Sequence, residues 1–184
     1  MGRLAAGGSA PGTLIAAARP VLAELASATG ETAGLAVLEE GSVHYLDQAE
    51  TPRPVAVRDW TGTRIAPFPV SSGRILLAHR PAGEVERLLG LPVERHTERT
   101  ETDPATLRRI LAAVRRDGVA WTIDEYAEGI SSVAVPVAGP GGEVVAALHV
   151  HGPSYRFPGD RPRAPFEAAL RDAAARVAAR LRAG

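Results

Sequence analysis

The sequence predicts an α+β domain: a central, mostly antiparallel sheet of five or six strands, with a helix at each end of the chain. Three observations lead there. Apolar residues recur at three- and four-residue steps over Thr13–Thr29 and again over Pro162–Leu181, the mark of amphipathic helices. Between them lie short apolar runs separated by Gly-containing turns at Glu39–Ser42 and Gly139–Gly142, which are hairpin signals. The connections are short, and short connections favour antiparallel pairing over parallel crossovers.

In the first helix Leu14, Ala18, Val21, Leu22 and Leu25 form the apolar stripe, and Gly30 supplies the stop. Pro20 falls inside this window. It has no N–H and crowds the preceding turn, so the helix proper is expected to begin near Arg19 with Pro20 in its first turn. Ala33–Leu38 and Val43–Gln48 follow as a hairpin, and Val55–Trp60 reads as a third short strand. Gly62, Pro67 and Pro69 make Thr61–Val70 a loop. Ser71 or Ser72 then caps a short helix carrying Ile75, Leu76 and Leu77, and another short helix runs near Gly83–Leu89.

Asp103 followed by Pro104 starts a longer helix, because the carboxylate accepts from a free N–H where proline needs none. Leu107, Ile110, Leu111 and Val114 form its buried stripe, and Gly118 ends it. Val119–Ile123, Val133–Ala138 and Glu143–His151 read as strands. The last helix carries Phe166, Leu170, Ala173, Val177 and Leu181 on one face. Glu167–Arg171 and Asp172–Arg176 are spaced for surface ion pairs.

Composition narrows the function classes. At 184 residues and 45% apolar content the chain is long enough for one domain with a sizeable core. Its 21 basic and 21 acidic residues cancel, so no overall field draws it to a phosphate backbone. The absence of cysteine excludes disulfides, thiolate chemistry and Cys-based zinc sites. No apolar run is long enough to span a membrane, and Met1–Thr13 lacks the basic and apolar regions of a signal peptide, so the cytoplasm is expected. The sequence contains no metalloprotease helix, nucleophile elbow, P-loop or dinucleotide fingerprint, so no catalytic residue, metal or cofactor is expected. Arg108, Arg109, Arg115 and Arg116 repeat at a seven-residue step on one helix. Without aromatic interleaving or a helix-turn-helix pattern, they read as a solvated face.

Candidate binding chemistry lies on the last long strand. Alternation puts Val145, Ala147, His149 and His151 on one face and Val144, Ala146, Leu148 and Val150 on the other. The second, wholly apolar set should face helices. The two imidazoles on the first face either meet solvent or line a pocket, where they can donate to a carboxylate or bind a metal. Two histidines alone do not complete a metal site; His44 or Glu125 would have to converge on them. Gly129 suits a positive-φ turn, and Glu125 is expected to accept from backbone donors.

Several short motifs occur in one order: L-A-S-A-T-G-E-T-A-G-L-A-V (Leu25–Val37), G-S-V-H-Y-L-D (Gly41–Asp47), S-S-G-R-I-L-L-A (Ser71–Ala78), T-E-T-D-P-A-T-L (Thr100–Leu107), R-R-D-G-V-A (Arg115–Ala120), D-E-Y-A-E-G-I-S-S-V-A-V-P-V (Asp124–Val137) and G-E-V-V-A-A-L-H-V-H-G-P (Gly142–Pro153). Together they resemble the effector-binding domain of IclR-type transcriptional regulators. The resemblance covers nearly the whole chain, from about Pro20 to Leu181.

It implies a GAF-like fold, with the N- and C-terminal helices packed on one sheet face and a ligand pocket on the other. It places the domain over residues 13–184, after a residual linker at 1–12. It implies a small organic or aromatic acid as effector, homodimers or tetramers, and DNA binding only through a winged helix-turn-helix module. That module is not recognised in this sequence, which would then be a shortened or a stand-alone version, or a partner of full-length relatives.

By position the resemblance makes Phe68, Val70, Thr122, Ser132, His149 and His151 ligand-binding, with Glu125 and Gly129 supporting a loop. In the family, serines stand where this chain has His149 and His151, and His and Thr stand where it has Phe68 and Val70. The apolar replacements favour a ligand with a hydrophobic part. The alternative to a sensor is a metal-binding protein or enzyme on the same fold, using His149 and His151.

Overall fold

The structure is a computed structural model that describes residues 9–52 and 59–184. Helix α1 (Pro11–Thr29) leads into the hairpin of β1 (Thr32–Glu39) and β2 (Ser42–Ala49), then β3 (Arg64–Ile65), α2 (Ser71–Ala78) and α3 (Ala82–Leu89). Next come α4 (Pro104–Asp117), β4 (Ala120–Ile123), β5 (Ile130–Ala138), β6 (Val144–Pro153) and α5 (Ala164–Ala183). Among the described residues six strands form one sheet in the order β3-β2-β1-β6-β5-β4, and every pair is antiparallel. The α+β class and its layering follow the sequence expectation. Helices α1 and α5 cover one face of the sheet; α2 and α4 pack on part of the other.

Local chemistry explains most of the boundaries. The β1–β2 turn has only Glu40 and Gly41 between the strands, both at positive φ (50° and 78°), the conformation whose twist suits a two-residue hairpin. Asp103 caps α4 through Thr106 N–H, and Gly118 closes it in the left-handed conformation at φ 68°. The two expected ion pairs on α5 form at 3.8 and 3.9 Å.

Four expectations are corrected. First, α1 runs unbroken through Pro20. An interior proline costs about 3 kcal/mol. However, the turns before it bury Leu14, Ala17 and Ala18, and one fully buried leucine contributes about 1.5–3 kcal/mol. Ala16, whose carbonyl loses its helical partner, is exposed, so water can satisfy it. Second, Thr61–Val70 is not wholly a loop: Arg64 and Ile65 pair with His44 and Val43 as an edge strand. Residues 55–58 of the strand expected at Val55–Trp60 lie outside the described residues, and Asp59 and Trp60 belong to no strand. Third, Ser71 and Ser72 do not cap α2, whose cap position is Val70 with no side-chain bond.

Fourth, Val145 does not share a face with Ala147. The β5–β6 register slips so that Val137 faces Ala146 while Ala138 faces Val144. Val145 is therefore the extra residue of a bulge, and it packs against the core under α1 and α5. From Ala146 onward the alternation holds: Ala146, Leu148 and Val150 join that core, and His149 and His151 face away from it.

Candidate binding site

The site begins as rows of side chains across the sheet. Thr122 on β4 sits opposite Ser132 on β5, and Ser132 opposite His151 on β6. One step along β6, His149 lies between Ala134 and Gly34 of the neighbouring strands. Gly34 is required: a Cβ there would collide with His149 Cε1, so the ring lies where a side chain on β1 would be.

A second bulge, between β1 and β2, pairs Leu35 with Asp47 but Ala36 with Tyr45. It lets Tyr45 face the histidines while its neighbour Leu46 enters the opposite core. Tyr45 meets His149 edge-on, with ring centroids 5.1 Å apart.

These residues floor a cavity with about 430 Å³ of atom-free space, counting its mouth. The N-terminus of α2 forms one wall with Ser71 and Ser72. Trp60 and Tyr126, 5.5 Å apart, form an aromatic wall, and Ile65, Val70 and Ile130 complete the apolar surface. Hydroxyls run across it in a chain: Ser71 Oγ to Ser132 Oγ at 2.7 Å, then Ser132 Oγ to Thr122 Oγ1 at 2.8 Å. Ser72 Oγ meets the Tyr45 hydroxyl at 3.2 Å. Among the described residues lining the cavity, the two histidines are the only ones with a basic side chain, and none carries a carboxylate.

Those histidines are neutral at physiological pH. Burial pushes His149 well below its usual value, and neighbouring His151 pushes it further the same way. Burial also lowers His151, to about 4, against a small upward pull from Asp59. Burial lifts the Tyr45 phenol to about 12, so it keeps its proton. His149 Nδ1 and Nε2 and His151 Nε2 are buried without a hydrogen-bond partner among the described residues. Buried polar atoms left in this state are costly, which marks them as groups awaiting a ligand or water.

The two imidazoles stack, with centroids 5.4 Å apart and planes inclined by 19°. Ring lone pairs lie in the ring plane, so near-parallel rings do not converge on one ion. Nor does a third ligand arrive: His44 Nδ1 is 3.3 Å from Glu39, and Glu125 is held by Arg74. Among the described residues no cluster of three His, Cys, Asp or Glu side chains could hold a metal.

Of the six ligand-binding residues expected from sequence, the structure brings five together: Val70, Thr122, Ser132, His149 and His151. Phe68 is elsewhere. A turn at Phe68–Pro69 separates it from Val70 and drives it into the core with Ile75, Leu76 and Leu111. The apolar character assigned to it is supplied by Tyr45, Trp60 and Tyr126 instead. Tyr45 has a legible signal in its alternation with Val43, whereas Trp60 and Tyr126 lie outside regular elements and have none.

Glu125 is corrected as well. Among the described residues its carboxylate accepts from no backbone donor; it takes a two-pronged bond from Arg74, at 2.9 and 2.5 Å. Arg74 also donates to the Phe68 carbonyl at 2.8 Å, so it ties the segment before α2 to the loop after β4. Thr97 and Thr100 donate to the carbonyls of Asp124 and Glu125, each at 2.6 Å. Gly129 closes that loop at φ 81°, donating to Asp124 Oδ1. The loop thus presents Tyr126 to the cavity.

Comparison with known proteins agrees with this geometry. The family model "Bacterial transcriptional regulator IclR C-terminal" matches residues 12–179. The chain is 36% identical over 158 residues to the HTH-type transcriptional regulator BhcR of Paracoccus denitrificans, covering 85% of this chain and 57% of that protein. The C-terminal domain of Escherichia coli KdgR superposes with a TM-score of 0.80 at 32% identity, over 92% of this chain and 99% of that one. An IclR homologue from Microbacterium hydrocarbonoxydans, complexed with 4-hydroxybenzoate, gives a TM-score of 0.85 at 32% identity, over 98% of this chain and 72% of the other. The chain spans between 57% and 64% of the length of the first curated relatives it matches. By motif order, sheet topology and these likenesses, the chain belongs to the IclR family of transcriptional regulators and carries their C-terminal effector-binding domain.

Proposed function

We propose that the cavity on the open face of the sheet binds a small organic acid, and that residues 13–184 sense this effector for a cytoplasmic IclR-type regulator. One observation carries the reading. A buried cavity lined by hydroxyls, two neutral imidazoles and aromatic rings opens onto the N-terminus of α2. The backbone N–H groups of Ser71, Ser72 and Gly73 have no partner among the described residues. Free N–H groups and the helix dipole together favour an anion. The carboxylate therefore belongs at α2, with Ser71 and Ser72 beside it, not at the uncharged histidines. The aromatic wall receives the apolar part of the effector. The complex of the Microbacterium homologue with 4-hydroxybenzoate supports this class of ligand.

The acid shifts a quaternary equilibrium by binding one arrangement more tightly than another. The homo-oligomer is a dimer or tetramer; sedimentation as a monomer at micromolar concentration would remove that part of the proposal. Operator binding belongs to a winged helix-turn-helix module. Among the described residues, no helix is long and apolar enough to cross a membrane.

A thermal-shift screen over aliphatic and aromatic carboxylic acids tests the effector assignment. A ligand present at about a hundred times its Kd adds roughly 2.7 kcal/mol, which raises Tm by roughly 5–10 °C in a domain of this size. If no acid moves Tm, the cavity is not an acid site.

A further inference from the structure

The polar inventory of the cavity specifies more of the ligand than an acid group. A neutral imidazole carries one N–H donor and one lone-pair acceptor. His149 offers both without a partner among the described residues, and His151 adds a third unpartnered nitrogen on the adjacent ring. A carboxylate brought to this pair could only accept, leaving acceptor nitrogens unsatisfied. An ammonium could only donate, and among the described residues no carboxylate lines the cavity to balance its charge. Arg74, a buried cation in the first turn of α2, is already spent on both oxygens of Glu125. Among the described residues, a second negative charge on the ligand would therefore be buried without a counter-charge, a costly arrangement.

Taking the acid-effector function proposed for this cavity as its basis, we infer that the effector is a two-ended monoanion. Its single carboxylate sits at the N-terminus of α2. Its far end carries an uncharged hydroxyl or amide that both gives a hydrogen bond to, and takes one from, His149 and His151. The body between the two ends lies against Tyr45, Trp60 and Tyr126. The cavity thus discriminates by whether the far group can both donate and accept a hydrogen bond, not by carboxylate binding alone.

Two matched series, read by calorimetry on the full chain, test this. One is butanoate, 4-hydroxybutanoate, succinamate and succinate; the other is benzoate, 4-hydroxybenzoate, 4-carbamoylbenzoate and terephthalate. In whichever skeleton binds, the hydroxyl or the amide member is expected to bind about tenfold tighter than the plain acid, and the dicarboxylate weaker than both. Which of the two leads separates hydroxyl from amide.

His151→Phe and His149→Phe keep a ring but remove the nitrogens. Each is expected to shrink that preference toward unity. Should either variant fail to fold, the wild-type series decides alone. A plain acid that binds as tightly as its hydroxyl and amide relatives, or a dicarboxylate that binds tightest, overturns the inference and leaves the acid-sensor reading standing. Binding by no member of either series overturns both.

Discussion

Glu125→Ala is expected to lower unfolding stability by about 3–5 kcal/mol, a large fraction of the roughly 5–15 kcal/mol that keeps a domain folded. The size follows from what is left behind. The Arg74 side chain is 4% exposed and Glu125 15%, so their pairing is sheltered from water. Removing the carboxylate leaves a buried guanidinium with two unsatisfied arms and, among the described residues, only the Phe68 carbonyl as partner. A surface pair such as Arg116–Asp117, screened by water, would lose far less in the same experiment. The double variant Arg74→Met with Glu125→Leu removes both charges together and is expected to recover most of the loss, because the penalty lies in the orphaned charge. Urea unfolding of the two single variants and the double one gives the coupling directly. A loss below about 1 kcal/mol for Glu125→Ala would mean that Arg74 reaches water, contrary to its burial.

Mild acid is expected to weaken the fold well above the range where carboxylates titrate. His151 in the folded chain takes a proton only near pH 4, whereas an unfolded histidine does so near 6.5. Above 6.5 both states are neutral there and stability does not respond. As pH falls from 6.5 toward 4, the unfolded chain binds the proton that the folded chain refuses, so stability drops. The slope approaches about 1.4 kcal/mol per pH unit for each such group and sums to about 3 kcal/mol for His151. His149, held down more strongly by burial and by its neighbour, adds to the loss in the same direction.

Asp59, Glu86 and Asp103 have lowered values, so their contributions are lost only as pH falls below the ordinary carboxylate range, and they are exposed. The decline between pH 6.5 and 5 is therefore a histidine signal. Urea midpoints at pH 7 and pH 5 measure it, and His151→Phe is expected to reduce it, leaving the share that His149 contributes. An unchanged midpoint in the wild type would show that the rings are hydrated.

Much of this architecture is legible in the sequence because its elements announce their own ends. The Asp103–Pro104 start and Gly118 stop of α4, the Glu40–Gly41 turn and the stripe of α5 each rest on local chemistry that tertiary packing does not reverse. The differences arise where packing overrides local preference. Pro20 stays helical because the apolar stripe on either side of it is buried against the sheet and α5. Val145 changes face because a bulge adds one residue to β6, and no periodicity forecasts where a ladder will slip.

The site divides in the same way. His149, His151, Ser132 and Thr122 are legible because strand alternation assigns faces. Ser71 and Ser72 read as caps, since a hydroxyl ahead of a helix suits a cap as well as it suits a cavity wall. Arg74 has no sequence mark that separates it from a surface cation; its 4% exposure and its partner 51 residues away are visible only in the fold.

The two tryptophans of the chain fall on opposite sides of the sheet. Trp60 forms a wall of the cavity, beside Tyr126 and Tyr45. Trp121 lies on the helix-covered side against Phe157, its indole N–H donating to Glu167 of α5 at 2.9 Å. The domain therefore carries an intrinsic fluorophore where an effector would dock, and a second, spectrally similar one insulated from it by the thickness of the β-layer. Occupancy can be followed by emission without attaching a dye, with the indole behind the sheet serving as internal reference.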